Sequence, residues 1–301
     1  MDKKQAIEEL ITIRDFIRWG YSQLNQSEAF FGHGMDNALD EALTLVLHSL
    51  HLPFDLPESW MDTRLTHDER AILADRLERR IVERVPTAYL TNEAWFANLS
   101  FYVDERVLIP RSPIAELIES AFRPWVEPGQ IKSVLDLCTG SGCIAIACAH
   151  VFADAKVDAV DVSSEALEVA RMNIEQHGME DQVFAVESDL FQAIGEKRYN
   201  LIVCNPPYVS CSEMKELPGE YLHEPALGLQ AGSDGLDIVR AILKEAPHHL
   251  MESGVLIVEV GDSQDALIQA FPDVPFLWLD FSRGGEGVFL LTADQLEYVQ
   301  A

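Results

Sequence analysis

From residue 134 onward the chain repeats one pattern: a short apolar run, a turn, and then a helical stretch. Residues 134–137, 157–160, 183–186, 201–204 and 255–260 are apolar runs of strand length, rich in valine, isoleucine and leucine. Runs of that kind read as strands buried on both faces. Between them, residues 143–152, 164–177 and 236–250 have helical length and patterning, and 276–279 and 288–291 are further strand-like pieces. Parallel neighbours need a crossover, usually a helix, so this alternation predicts an α/β fold with a doubly wound sheet.

Two strand ends carry distinctive residues. The first runs through Asp136 into Cys138-Thr139-Gly140-Ser141-Gly142, a glycine-rich turn that opens a helix, and the second closes on Asp161. Gly140-x-Gly142-x-x-Ala145 with an acid about 20 residues on satisfies the dinucleotide fingerprint. That pattern does not separate a nicotinamide cofactor from S-adenosylmethionine, since both set a ribose against an acid at the end of the second strand. Other acids weigh on the choice. A carboxylate at Asp136 suits a cofactor with positively charged amino and sulfonium groups, and Asp189, in Ser188-Asp189-Leu190 after the third strand, stands where an adenine amine would lie. A helix-capping role for Asp189 stays open. Neither acid helps a pyrophosphate, which needs donors and positive charge.

The fourth strand, 201–204, stops at Asn205-Pro206-Pro207-Tyr208, because proline cannot donate to a ladder. The asparagine is thereby held at a strand tip, where open parallel sheets bind ligands. Its side-chain oxygen and the Pro206 carbonyl are two acceptors in fixed relation, and Tyr208 offers a flat face, a grip suited to a small planar polar group. A plain turn after a strand would have the same prolines.

The region before residue 87 reads as a small helical bundle. Ile7, Leu10, Ile13, Ile17, Tyr21 and Leu24 recur at helical spacing, residues 40–50 form a second helix capped near Asp36 and Asn37, and Thr66-His67-Asp68-Glu69 is a capping box ahead of a third that Pro86 ends. It holds no catalytic constellation, and His33 between two glycines reads as a loop residue. From Tyr89 to Ile109 the period becomes strand-like, which predicts a hairpin linker over 87–110, with residues 107–109 as strand and Asn98 at a turn. Ser112 then caps a helix over 114–122 with Pro113 at its first position. The expected organisation is a helical domain over 1–86, the hairpin, and an α/β domain over 111–301.

Acidic residues number 50 against 22 basic, a formal net charge of −28. Such a surface repels nucleic-acid phosphates, so direct duplex DNA binding is not expected, and it complements a strongly basic protein partner. The polar start Met-Asp-Lys-Lys-Gln and the lack of an apolar run near the roughly 18 residues of a membrane span point to a cytoplasmic protein without a signal peptide. The five cysteines lack CxxC spacing, so free thiols are expected and a bound metal is not.

The ordered set Leu108-Ile-Pro-Arg-Ser-Pro, Leu135-Asp-Leu-Cys-Thr-Gly-Ser-Gly-Cys-Ile-Ala-Ile, Ala159-Val-Asp-Val-Ser and Asn205-Pro-Pro-Tyr resembles the HemK-type glutamine methyltransferases over the whole chain. The resemblance implies a class I S-adenosylmethionine-dependent methyltransferase with a Rossmann-like seven-stranded sheet, a small N-terminal helical domain for substrate recognition and a linking β-hairpin. Arg111-Ser112-Pro113-Ile114, Phe31-Gly-His-Gly-Met-Asp-Asn and Ala94-Trp-Phe are closer to the branch acting on ribosomal protein uL3 than to the one acting on release factors. It implies that Cys138, Thr139, Gly140, Ser141 and Gly142, with Asp136, hold the methionine part of the cofactor, Asp161 its ribose, and Asp189 and Leu190 its adenine. Asn205 would touch both cofactor and substrate, and Pro206, Pro207 and Tyr208 the substrate glutamine, with Asn205 the main catalytic residue beside Pro206 and Tyr208. Cys138 and Leu190 depart from the family pattern, which often has glycine and an aromatic residue there.

Overall fold

Side-chain caps set where the N-terminal helices begin. In the computed structural model, which describes residues 2–299, Asp2 caps α1 (Lys3–Glu9) and Thr12 with Asp15 closes a capping box on α2 (Ile13–Gln26). The apolar stripe from Ile7 to Leu24 is therefore two helices rather than one. Leu10 and Thr12 are extended, and the Thr12 side chain satisfies an N–H of the new helix. Asn37 caps α3 (Ala38–Ser49), and the Thr66–Glu69 box starts α4 (His67–Ile81) as its sequence predicts. Phe16, Leu24, Leu45, Leu73 and Leu77 form the buried interior of this bundle. His33 lies in a loop but is buried, its ring 4.6 Å from that of Tyr221.

The chain divides into two compact units. One is residues 1–94 with 218–223, and the other is 95–217 with 224–301. The first unit thus includes a short piece of the loop that follows Tyr208. Residues 87–91, expected in the hairpin, are instead a helix, α5 (Thr87–Thr91), whose five residues are all buried. The hairpin is β1 (Ala94–Phe96) and β2 (Leu99–Phe101), turning at Ala97 and Asn98 in left-handed conformation. Residues 107–109 are not a strand. Val107 and Ile109 are buried, but the Ile109 N–H goes to the Glu224 carboxylate instead of a ladder partner.

In the second unit, α6 (Ile114–Glu119) is shorter than expected, because Ala121 and Phe122 take positive φ and end it. Phe122 turns into the core and stacks on Phe152. Then follow β3 (Ser133–Leu137), α7 (Cys143–Val151), β4 (Lys156–Asp161), α8 (Ser164–Gln176), β5 (Val183–Glu187), β6 (Tyr199–Cys204), α9 (Asp237–His249), β7 (Leu250–Glu259), α10 (Gln264–Ala270), β8 (Leu277–Trp278) and β9 (Val288–Thr292). They make a seven-stranded sheet in the order β5-β4-β3-β6-β7-β9-β8, parallel except where β9 runs against β7 and β8. Both faces are covered, one by a core around Ile144, Ile146 and Val157, the other by one around Leu135, Leu243 and Phe289. That double burial is why the strands read as unbroken apolar runs.

The register decides which residues meet. Leu137 is level with Val160 and with Cys204, Asp161 with Glu187, and Cys204 with Val258. Strands β5, β4, β3, β6 and β7 therefore release Ser188, Asp161, Cys138, Asn205 and Glu259 along one edge. From β3 the chain moves outward to β4 and β5, then returns to the other side with β6, so this edge spans the switch point where such sheets bind ligands.

Candidate active site

The glycine turn is held open by backbone conformation. Cys138, Gly140 and Gly142 have φ of +57°, +54° and +81°. A Cβ at Gly140 would meet nothing within 4 Å, so glycine there serves the left-handed backbone and not a lack of room. Cys138 holds the same conformation with a side chain, at about 1–2 kcal/mol.

Asp136 braces the turn from beneath. Its Oδ2 accepts from Thr139 Oγ1 at 2.5 Å and from the Ala145 N–H of α7 at 3.1 Å. It is fully buried and does not line the cavity described below, while its Oδ1 has no partner among the described residues. Burial pushes its carboxyl up to about 7, against the pull of those two donors. Ser141 is buried too, its carbonyl taken by Asn173 Nδ2 at 2.8 Å.

Asp161 fastens the turn from the neighbouring strand, accepting from Gly140 N and Ser163 N, each at 2.9 Å. Its carboxyl is raised by burial in spite of these bonds. At the end of β5, the Ser188 N–H reaches the Asp161 carbonyl and Ser188 Oγ donates to the Leu190 carbonyl at 2.8 Å, which fixes Leu190 at φ +48°. Asp189 is exposed, and its carboxylate accepts from the Gln192 side chain at 2.7 Å instead of capping a helix.

These elements border one cavity of about 880 Å³, counting its mouth. Cys138 and Gly140 come from the turn, Asp161 from β4, Asp189 and Leu190 from the end of β5, and Asn205 and Pro207 from the end of β6. Thr139, Ser141, Gly142, Pro206 and Tyr208 do not line it. Asn205 is half-buried on the wall, and its carboxamide is not taken up by any hydrogen bond among the described residues. Tyr208 lies just beyond. Its hydroxyl donates to Glu259 Oε1 at 3.0 Å, and its carbonyl accepts from Ser263 Oγ at 2.9 Å.

Sequence reasoning missed several residues here. Arg106, Leu227 and Gln230 also line the cavity with no sequence pattern to reveal them, and so does Leu108, which the Leu108-Ile-Pro-Arg-Ser-Pro motif contained without a role. Arg106 is drawn to Asp104, with Nη2 to Oδ2 at 2.6 Å, and that carboxylate raises its pKa. Glu259 carried a signal, a lone charge at the end of the apolar run 255–258. Ser112, read as a helix cap, does accept from the Ile114 N–H, but it also donates to Glu259 Oε2 at 2.5 Å, and Pro113 rather than Ser112 holds the cap position.

The sequence model of the family described as Methyltransferase small domain matches residues 125–224, a span holding the glycine turn, Asp161 and Asn205. Among solved structures, the hMettl16 catalytic domain in complex with MAT2A 3′UTR hairpin 6 superposes with a TM-score of 0.50 at 18% identity, covering 73% of this chain and 81% of that one. That likeness is one of fold. The sheet, the family match and the cavity at the strand ends define a methyltransferase. Two relatives named ribosomal protein uL3 glutamine methyltransferase, from Neisseria gonorrhoeae and Neisseria meningitidis, are each 50% identical over 293 residues. The match covers 97% of this chain and 98% and 96% of theirs. The chain belongs to the ribosomal protein uL3 glutamine methyltransferase family.

Proposed function

We propose that this protein methylates the side-chain amide nitrogen of a glutamine in ribosomal protein uL3, with S-adenosylmethionine in the cavity at the ends of β3, β4 and β5. One observation carries the reading: the tip of β6 and the glycine turn, which must face each other for the chemistry to work, border the same cavity.

The residues present fit that cofactor. The carboxylate of Asp161 on the wall offers acceptors suited to ribose hydroxyls, and Asp136 Oδ1, without a hydrogen-bond partner among the described residues, lies beneath the turn. Open space over Gly140 lets a ligand approach the backbone. Cys138 and Gly140 would hold the methionine part, Asp161 the ribose, and Asp189 and Leu190 the adenine. When bound, S-adenosylmethionine supplies a methyl group on a positively charged sulfur.

The protein's task is to present the amide nitrogen correctly. An amide nitrogen is a weak nucleophile because its lone pair is delocalised into the carbonyl. The Asn205 side-chain oxygen and the Pro206 carbonyl each accept one N–H of the glutamine amide and turn the nitrogen's remaining face toward the cavity. They also favour the charge that grows on nitrogen. Water takes the proton afterwards, so no side-chain base is needed. The N-terminal unit serves substrate recognition, the acidic surface draws in the basic ribosomal protein, and a ribosomal substrate places the activity in the cytoplasm.

The decisive assay offers purified uL3 and a release factor to the enzyme with methyl-labelled cofactor, followed by mass spectrometry. Label on a uL3 glutamine is expected, and label on the release factor alone would overturn the substrate assignment. Asp161→Ala should weaken cofactor binding about tenfold or more by calorimetry, because buried hydroxyl donors lose their acceptor. The association rate with uL3 should fall steeply as salt is added, and a flat dependence would return the charge of −28 to a role in solubility alone.

A further inference from the structure

Glu259 ends β7 immediately beside Asn205 in the row of strand tips, since Val258 is level with Cys204. It is 5% exposed and stands at the end of an otherwise apolar segment. Its carboxylate has no ion pair among the described residues; both oxygens are met by hydroxyl groups, Tyr208 at 3.0 Å and Ser112 at 2.5 Å. Burial pushes its pKa upward, with the two hydroxyls and the more distant Arg111 pulling the other way. A carboxylate buried on two neutral donors is an expensive way to fill a core position, which an aliphatic side chain would fill at less cost. Its contacts therefore point to a use.

Those contacts converge on the ring of Tyr208. The hydroxyl is fixed by Glu259 and the carbonyl by Ser263, and the ring lies on Gly261 so closely that a Cβ there would come within 2.7 Å of it. Gly261 has φ +45°, and Gly287 packs against its backbone, so this wall cannot yield to a differently placed ring. On its other side Glu259 is tied through Ser112 to Arg111, which Glu224 holds through a pair of hydrogen bonds at 2.6 and 2.8 Å.

We propose that Glu259 is a positioning residue for the methyl transfer: its carboxylate locks the plane of the Tyr208 ring, and so the position at which Asn205 and Pro206 receive the substrate amide, against the segment around Ser112. This rests on the glutamine reading given above. Glu259 does not line the cavity and acts on the reaction through Tyr208.

The test is a double-mutant cycle with Glu259→Gln and Tyr208→Phe, measured on uL3 with cofactor affinity and thermal melting followed alongside. Glu259→Gln keeps the shape but leaves one acceptor where there were two. It is expected to lower kcat/KM for the protein substrate about tenfold, with the cofactor Kd unchanged. Tyr208→Phe should cause a similar loss and the double variant no more than either alone, because both remove one connection. Ser112→Ala, which leaves Tyr208 intact, should show a smaller loss of the same kind and keeps the question answerable if Glu259→Gln melts early. Wild-type kcat/KM in Glu259→Gln, additive losses in the double variant, or an equal loss of cofactor affinity would each overturn the assignment. A wild-type enzyme inert toward uL3 glutamine would instead remove the reading beneath it and overturn it by that separate route.

Discussion

Asn205→Ala is expected to lower turnover by about 100-fold or more, the scale for removing one preorganised polar contact at a reacting centre, while cofactor affinity stays within about tenfold. The asymmetry follows from where the residue stands. Asn205 leaves β6 beside Cys138, but the turn below it is held by Asp136, Asp161 and Asn173, none of which uses the asparagine. Its carboxamide is not spent on the fold, so truncation removes an acceptor for the substrate and little else. Asn205→Asp makes the sharper comparison. It keeps an acceptor oxygen but puts a negative charge near the substrate amide, and should recover only part of the lost rate. Single-turnover kinetics with bound cofactor would measure both, and a near-normal rate in Asn205→Ala would remove the asparagine from the reaction.

Much of this arrangement could be read from the chain because its strands are buried on both faces. Apolar runs around Leu135, Val157, Ile202 and Ile257 leave few alternatives, and the two prolines after Asn205 mark the tip of β6 without further information. The glycine turn was equally plain, and its left-handed backbone explains why Gly140 and Gly142 stand there. Local signals failed where a tertiary partner set the outcome. The Ile109 N–H is claimed by Glu224, 115 residues further on, so 107–109 never joins a ladder. The five residues 87–91 form a helix only because the bundle buries all of them. The break at Leu10 left a trace in Thr12 and Asp15, but the apolar spacing runs through it and hides it. Glu259 could have been flagged as a charge among aliphatics, although its partners Tyr208 and Ser112 are far from it in sequence.

The second large effect belongs to the helical unit. Arg80→Ala should destabilise it by about 3–5 kcal/mol, the usual loss when one partner of a buried ion pair is removed, a large share of the 5–15 kcal/mol typical of a domain. Arg80 is 1% exposed on α4 and faces Glu41 (3%) and Glu220 (0%). Its Nε and Nη2 meet Glu41, its Nη1 meets Glu220 at 2.9 Å, and Nη2 also reaches the Phe30 carbonyl at 2.8 Å. Without the guanidinium, Glu41 keeps only the Thr87 hydroxyl as a hydrogen-bond donor among the described residues, whereas Glu220 keeps Arg84 and the Phe30 N–H. Glu41 is thus the stranded charge, and Arg80→Met combined with Glu41→Leu should recover most of the loss. Burial alone would raise the Glu220 carboxyl, but Arg84, the Phe30 N–H and Arg80 outweigh it and hold it below its usual value near 4.5. A carboxyl lowered in the folded state stabilises above its unfolded pKa and loses that contribution as pH falls through the folded one. The gap between wild type and Arg80→Ala should therefore be widest near neutral pH and narrow in acid below about 4. Hydrogen exchange in α3 and α4 would report this unit by itself, and less than about 1 kcal/mol of loss at pH 7 would mean that water or a shifted Arg84 takes over the work of Arg80.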